Sequence, residues 1–371
     1  VREALPGDFQ YIIDELLHTS GEEHDKQAYY QNIIGTVIEV GMAGAFIEAL
    51  CRLIKRMAVD RLHVVGDIYD RGARPDRILD MLMEHHRVDI QWGNHDIVWM
   101  GAAAGSAVCV ATVLNSALQY NTLAIVENTY GISLRDLIGF AQETYKGCTW
   151  FMPRSEDDAY YVKNRMDTLS KAHKAIAIIM FKLEGQLIRR HPEYGMDDRL
   201  LLEHIDYTAH TVTIDGQVYP LNDAHFPTVD PADPYRLSDG EASLMASLVG
   251  AFRRSPALRR HIEFLYTCGS LYRVCNGNLL FHGCIPLCAD GSFDTVRTFD
   301  GQSLAGRAYM DFCDRTARAA FYDGGQNELD FMYYLWCGRQ SPLFGRSRMT
   351  TFERYFVSDC SAWEEVKNPY Y

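Results

Sequence analysis

Apolar residues recur at helical spacing through the first part of the chain, and then the period changes. Residues 7 to 19 and 28 to 40 read as helices, the second with Ile33, Ile34, Val37 and Ile38 along one face. A third is expected over 43 to 58, with Phe46, Leu50, Ile54 and Met57 in line. At 61 to 67 the text becomes RLHVVGD, a short β-branched run ending in Gly-Asp, which predicts a strand. Pro75 opens a helix through DRILDMLMEHH, and RVDIQWGNHD predicts a second strand. Strand, helix and strand make a βαβ unit, so the two strands are expected to be parallel neighbours joined by a right-handed crossover. Both polar endings then share the carboxyl edge of the sheet, where open α/β sheets bind ligands.

From 97 to about 260 the pattern is mostly helical. Ser133 with Asp136 and Ser238 with Glu241 read as capping boxes, and Ser255-Pro256 as an N-cap followed by proline at the first helical position. One hairpin interrupts this stretch at 211 to 219, turning at Asp215-Gly216. A second, SLYRVCNGNLLFHGCIP, turns at Asn276-Gly277, and its return strand Leu279 to Phe281 leads into His282-Gly283. The last part of the chain is rich in aromatic residues.

Composition narrows the function classes. The 371 residues carry a net charge of -13 at a pI of about 5.4, without the basic face that supplies most nucleic-acid affinity. An acidic protein that handles an anionic substrate needs a local cationic device, either a metal ion or clustered arginines. No apolar run approaches the roughly 20 residues of a membrane span. The ten cysteines show no zinc-type pairing or secreted framework and read as reduced thiols of a cytoplasmic protein. The chain starts VREALPGDF, with no initiator Met, and is expected to be an internal piece of something longer.

Three strand ends offer metal ligands: Asp67, Asn94 and His282. A carboxylate, an amide oxygen and an imidazole suit Mn²⁺, Fe or Zn²⁺ better than Ca²⁺. Two metals sharing a carboxylate can generate hydroxide at neutral pH and hold a phosphoryl group for in-line displacement. Arg71 would neutralise phosphoryl oxygens, and His95 would protonate the leaving alcohol with Asp70 orienting its ring. Taken singly, each residue has a plainer reading, as a turn, cap or hydrogen-bonded core residue.

The ordered set GDxxDRG, GNHD and a later His-Gly resembles the middle motifs of the calcineurin-like metallophosphoesterases. The stretches AVDRLHVVGDIYDRG, HRVDIQWGNHDIVWMGAAAGS, AHKAIAIIMFKLEGQ, NLLFHGCIPL and MTTFERYF resemble class III fructose-1,6-bisphosphatase, a bacterial gluconeogenic family, across essentially the whole chain. The resemblance implies an α/β fold with a four-layer αββα core and a large helical insertion. Residues 1–96 would hold the N-terminal helices and the first part of the core, 97–260 the insertion, and 261–371 the rest of the core and the C-terminal segment. It implies hydrolysis of the 1-phosphate of fructose 1,6-bisphosphate with manganese as the metal. By motif position Asp67 bridges both metals, Asn94 and His282 bind the second, and His95 is the acid.

Two motifs of that superfamily are out of place. The early Asp-x-His has no counterpart before Asp67, and no histidine follows His282 to supply a final Gly-His. Asp223-Ala224-His225 comes too late in the chain and reads as structural. The expectation is weak single-metal binding and little hydrolysis by this chain alone. A sugar bisphosphate also needs a seat for its second phosphate, and Arg339, Arg346, Arg348 and Arg354 are the candidates. The rival readings are another phosphomonoester or phosphoprotein phosphatase using the same metals, and a ligand-depleted relic without catalysis. A homo-oligomer is left open.

Overall fold

The computed structural model describes residues 7–18, 24–154 and 163–365. They fall into two compact units, Val1–His63 with His85–Asp89 and Val64–Glu84 with Ile90–Tyr371. The residue-19 end of the first expected helix lies outside the described residues.

The first unit contains α1 (Gln10–His18), α2 (His24–Glu39) and α3 (Ala43–Ala58). Its core joins Phe9, Ile13, Val37, Phe46, Ala49 and Leu53, with Phe9 edge-on to Phe46 at 5.4 Å. The sequence stripe expected on α3 is rotated in the structure. Phe46, Ala49 and Leu53 face inward, while Ile54 and Met57 are exposed. Both sets satisfy helical spacing; the small Ala49 side chain suits the face that approaches neighbouring helices most closely.

The βαβ unit follows: β1 (Leu62–Val64), α4 (Pro75–Glu84) and β2 (Val88–Gln91). Next come α5 (Asn94–Ala104), α6 (Ala107–Gln119), α7 (Arg135–Thr144) and α8 (Lys163–Arg190). After them run β3 (Ile205–Asp206), β4 (Thr211–Ile214), β5 (Gln217–Pro220), α9 (Asp239–Arg254) and α10 (Pro256–Cys268). The chain continues with β6 (Gly269–Ser270), the hairpin β7 (Tyr272–Cys275) and β8 (Asn278–Phe281), and the pair β9 (Thr295–Arg297) and β10 (Ser303–Ala305). It closes on α11 (Gly306–Tyr322), α12 (Gln326–Cys337) and α13 (Thr351–Phe356).

This is an α/β protein with parallel and antiparallel sheets. One sheet runs in the order β1-β2-β6, and β2 pairs with β6 in parallel, Ile90 opposite Gly269 and Gln91 opposite Ser270. The other sheets are antiparallel. Both expected hairpins form with left-handed turn residues: Asp215 and Gly216 at φ 50° and 81°, Asn276 and Gly277 at 51° and 74°. That double positive φ is the mark of the tight hairpin turn whose twist matches its strands. Among the described residues no single helix is long and apolar enough to cross a membrane.

Helix α5 leaves β2 and is buried from Asp96 to Ala102, packed against α6, α11 and α12. Helix α8 packs along α6 and α7. Two lysines of α8 are buried, each with a carboxylate partner. Lys174 donates to Asp223 at 2.6 Å, so this aspartate of the misplaced Asp-x-His is held by a salt bridge. Lys182 donates to Glu241 at 2.7 Å and to the Thr228 carbonyl at 2.6 Å. Glu241 also closes the capping box at Ser238, accepting from its N–H at 2.8 Å. The box expected at Ser133 does not form. The helix begins one residue later, after Leu134, and Asp136 instead accepts from Ser247.

A buried carboxylate stripped of its cation is costly, by about 3–5 kcal/mol. Lys182→Met should therefore lower the unfolding free energy by about that amount, measured by urea denaturation. A loss below about 1 kcal/mol would show that Glu241 is held by its backbone contacts alone.

Candidate active site at the carboxyl edge of the sheet

The chain leaves β1 through Val65, Gly66 and Asp67, and leaves β2 through Trp92, Gly93 and Asn94. Gly66 and Asp67 are both left-handed, at φ 88° and 55°. A β-carbon on Gly66 would collide with the Gln91 carbonyl and the Gly93 nitrogen, and one on Gly93 would collide with the Asp67 carboxylate and amide. The two strand ends are thus pressed together so closely that each needs glycine, the physical content of the GD and GN pairs. Gly283 meets the same constraint, since a β-carbon there would strike the backbone of Pro342 and Leu343.

Asp96 joins the two loops. Its carboxylate accepts from the N–H groups of Asp67 at 2.8 Å, Gly93 at 2.9 Å and Tyr69 at 3.1 Å. Burial pushes its pKa up to about 6 against the pull of those three donors.

Asp67, Asp70, Arg71, Asn94, His95 and His282 all line one cleft of about 660 Å³. Ligand atoms of Asp67, Asp70 and His95 lie within 4.8 Å of one another, a candidate metal triad. His95 sits at the start of α5, where its N–H donates to Asp67 Oδ1 at 3.1 Å. Its Nε2 lies 3.1 Å from Asp70 Oδ1, and Arg71 Nε lies 3.3 Å from the same oxygen. Burial lowers the His95 pKa, with Asp70 and Asp67 offsetting part of the effect. The Arg71 guanidinium stacks over Tyr120 at 5.0 Å.

Two further contacts orient Asn94 and His95. Asn94 Nδ2 donates to the Trp336 carbonyl at 3.2 Å, which leaves the amide oxygen for a ligand role. The Trp336 ring stands edge-on to His95 at 4.7 Å. Neither was foreseeable, because both depend on α12 returning to α5 from far along the chain.

His282 shows most directly whether a cation fits. Its Nδ1 lies 2.6 Å from the Val65 carbonyl, which can only accept, so Nδ1 carries the proton. In the neutral ring Nε2 is then a bare lone pair, 3.4 Å from Asp67 Oδ2. Two acceptors facing each other require a positive charge between them, from a proton or from a metal ion. Burial alone would lower the His282 pKa, but the hydrogen bonds to Asp67 and Val65 outweigh it and hold it above the ordinary value. Asp67 shows the converse: burial raises it, and His282 with His95 brings it below the ordinary value. The donor set fits a divalent metal.

Of the arginines proposed for a second phosphate, Arg346 and Arg354 line the cleft. Arg339 and Arg348 are not among the lining residues, and Arg348 instead donates to Asp215 at 2.7 Å. Arg154, which no motif marks, lines the cleft as well.

An α/β scaffold with a carboxylate, amide and imidazole donor set at a sheet edge, beside an Arg-Asp-His cluster, defines a candidate metal-dependent phosphate site. The chain belongs to the family described as Firmicute fructose-1,6-bisphosphatase, whose model matches residues 1–371. It is 50% identical over 378 residues to the class 3 fructose-1,6-bisphosphatase of Clostridium novyi (strain NT), covering 100% of this chain and 56% of that protein. It is 48% identical to proteins of the same name from Listeria innocua serovar 6a, over 378 residues, and Alkaliphilus metalliredigens, over 380. These matches cover 100% of this chain, with 58% and 57% of the relatives. The chain therefore spans a little more than half the length of these relatives. No solved structure matches it.

With His282 as a ligand, metal would have to displace its Nε2 proton, so affinity should rise with pH. A ring with a raised pKa stays protonated beyond the usual range near 6.5, and Mn²⁺ affinity should climb about tenfold per pH unit below the folded pKa, then level off. Calorimetric titration between pH 6 and 8 checks this, and a flat profile would remove His282 from the ligand set. Gly93→Ala should abolish binding and destabilise the fold by about 1–3 kcal/mol, read by the same titration and by thermal melting.

Proposed function

We propose that this chain holds the reacting centre of a metal-dependent phosphomonoester hydrolase that converts fructose 1,6-bisphosphate and water to fructose 6-phosphate and phosphate. The observation that supports it most is the Asp67–His282 pair, two facing acceptors beside a neighbouring Asp70–His95–Arg71 cluster in one cleft. The name of the family and of its half-matched relatives supports the sugar bisphosphate over other phosphate esters. The four-layer αββα core with a helical insertion is part of the same proposal. It is supported by the placement of both polar loops at one edge of the β1-β2-β6 sheet.

Asp67, Asn94 and His282 would hold the ion, and a mixed oxygen and nitrogen set suits Mn²⁺. When bound, a divalent ion supplies Lewis-acid stabilisation of phosphoryl charge and a more acidic water. The remaining steps belong to the chain. Arg71 sets its guanidinium against phosphoryl oxygens as negative charge shifts onto them. Asp70 holds the His95 ring through Nε2 in the resting site, and His95 delivers the proton to the leaving sugar oxygen. The lowered pKa makes His95 a stronger acid with a smaller protonated fraction, and an arriving phosphate raises that fraction.

The 4.8 Å cluster favours a second assignment, with Asp70 and His95 themselves ligating. Phosphate release from fructose 1,6-bisphosphate in Mn²⁺, by this chain and by a version extended at both ends from its coding sequence, tests the function. Activity is expected in the extended form, with Asp70→Asn lowering kcat by about 10²–10⁴-fold while metal affinity holds. A collapse of affinity in that variant would move Asp70 into the ligand set. Failure to release phosphate from the bisphosphate while p-nitrophenyl phosphate is hydrolysed would discard the substrate.

A further inference from the structure

We propose that Arg154, Arg346 and Arg354 form the seat for the second phosphate of the bisphosphate substrate, with Glu365 as a counter-ion that the phosphate displaces. This rests on the bisphosphatase reading above and extends it to the residues that select a doubly phosphorylated sugar. All four line the same cleft as Asp67 and His95. With Arg71 at the reacting end, these three guanidinium groups make four on one cleft of a chain with net charge -13, a local cationic device against an unfavourable overall field.

The hydrogen bonds show what the seat accepts. Arg346 Nη1 donates to Glu365 Oε2 at 2.5 Å. Thr350 Oγ1 donates to Glu365 Oε1 at 2.9 Å, and Arg354 Nη2 reaches the same oxygen at 3.4 Å. Arg354 is further placed by its Nε bond to Thr350 Oγ1 at 3.1 Å and by stacking over Trp363 at 5.6 Å. The carboxylate therefore occupies the donors that phosphoryl oxygens would use. It brings two oxygens and one charge, whereas a phosphate monoester brings three terminal oxygens and nearly two charges. Among the described residues no carboxylate pairs with the Arg154 guanidinium, which lines the same cleft and, in this proposal, supplies the donor for the third oxygen.

Glu365 makes the seat selective rather than merely attractive. A monoanion gains little by replacing it, because the exchange is charge for charge. A dianion gains a further cation, Arg154, and one more charge-assisted hydrogen bond.

The test is steady-state kinetics on the full chain as its coding sequence specifies it, with fructose 1,6-bisphosphate and p-nitrophenyl phosphate side by side. Arg154→Ala and the double change R346A/R354A should lower kcat/KM for the bisphosphate about 10- to 100-fold relative to p-nitrophenyl phosphate, chiefly through KM. Glu365→Gln should lower the bisphosphate KM. Equal losses on both substrates, or an unchanged bisphosphate KM, would overturn the seat, and a raised KM in Glu365→Gln would overturn the displacement. Where an alanine variant folds poorly, the lysine variants replace it, and p-nitrophenyl phosphate turnover reports that the reacting end is intact. A wild-type protein that cleaves p-nitrophenyl phosphate but no sugar bisphosphate would sink the function itself. Wild-type bisphosphatase activity with unaltered variants would sink only this seat.

Discussion

The Asp96 carboxylate, buried and bonded to three backbone N–H groups, is the interaction on which the geometry of the candidate site depends. It spans two loops that leave neighbouring strands, and it fixes the backbone of Asp67 and Gly93 without using any side chain that chemistry requires. Taking a carboxylate out of water costs several kcal/mol, and three aligned donors are what make its burial tolerable. Burial raises its pKa against those donors. What the buried carboxylate contributes is the fixed spacing of the two loops.

The strain around it follows from the same closeness. Asp67 sits in a left-handed conformation that few non-glycine residues adopt, immediately after a left-handed glycine. A site that stores strain needs surroundings that over-determine it. Here they are α5, buried on every side by α6, α11 and α12, and the Tyr69 ring stacked on Trp99 at 4.8 Å. The hydroxyl of Tyr69 continues inward to Tyr130 at 2.7 Å and on to His261, tying the loop to α10. Helices from between the two motif groups, together with α11 and α12 from after His282, thus supply the packing around the Asp67–Asp70 loop.

Local patterns made much of this legible in advance. The change of period at residue 61, Pro75 at a helix start and the two Asn/Asp-Gly turns are short-range signals, and the structure places elements where they point. Spacing alone could not choose between two stripes on α3, because both fit a helix and only the packing partners decide. It could not show that α7 starts one residue late, since Asp136 is drawn to Ser247 of another helix. The strand β6 has two residues and no pattern of its own; it is defined by its parallel register, Gln91 opposite Ser270, with the Trp92 N–H donating to the Ser270 carbonyl. For the site, the ligand-type residues were readable as motif letters. Trp336, Arg154 and Glu365 were not, for their relevance comes from being brought to one cleft by elements distant in sequence.

The Val65 carbonyl that holds the His282 proton has a consequence for how such a site endures change. On the Val65 side the contact is made by the main-chain carbonyl, and the residue is 60% exposed. Residue 65 can vary freely while the imidazole keeps its tautomer, because the instruction is written in the path of the chain rather than in any replaceable side chain. Single-letter drift cannot easily erase it. The same independence means that His282 and His95 cannot trade places: one ring has its proton committed to the backbone, and the other has its position set by Asp70. A lineage that altered this chemistry would have to redraw the loop after β1 first.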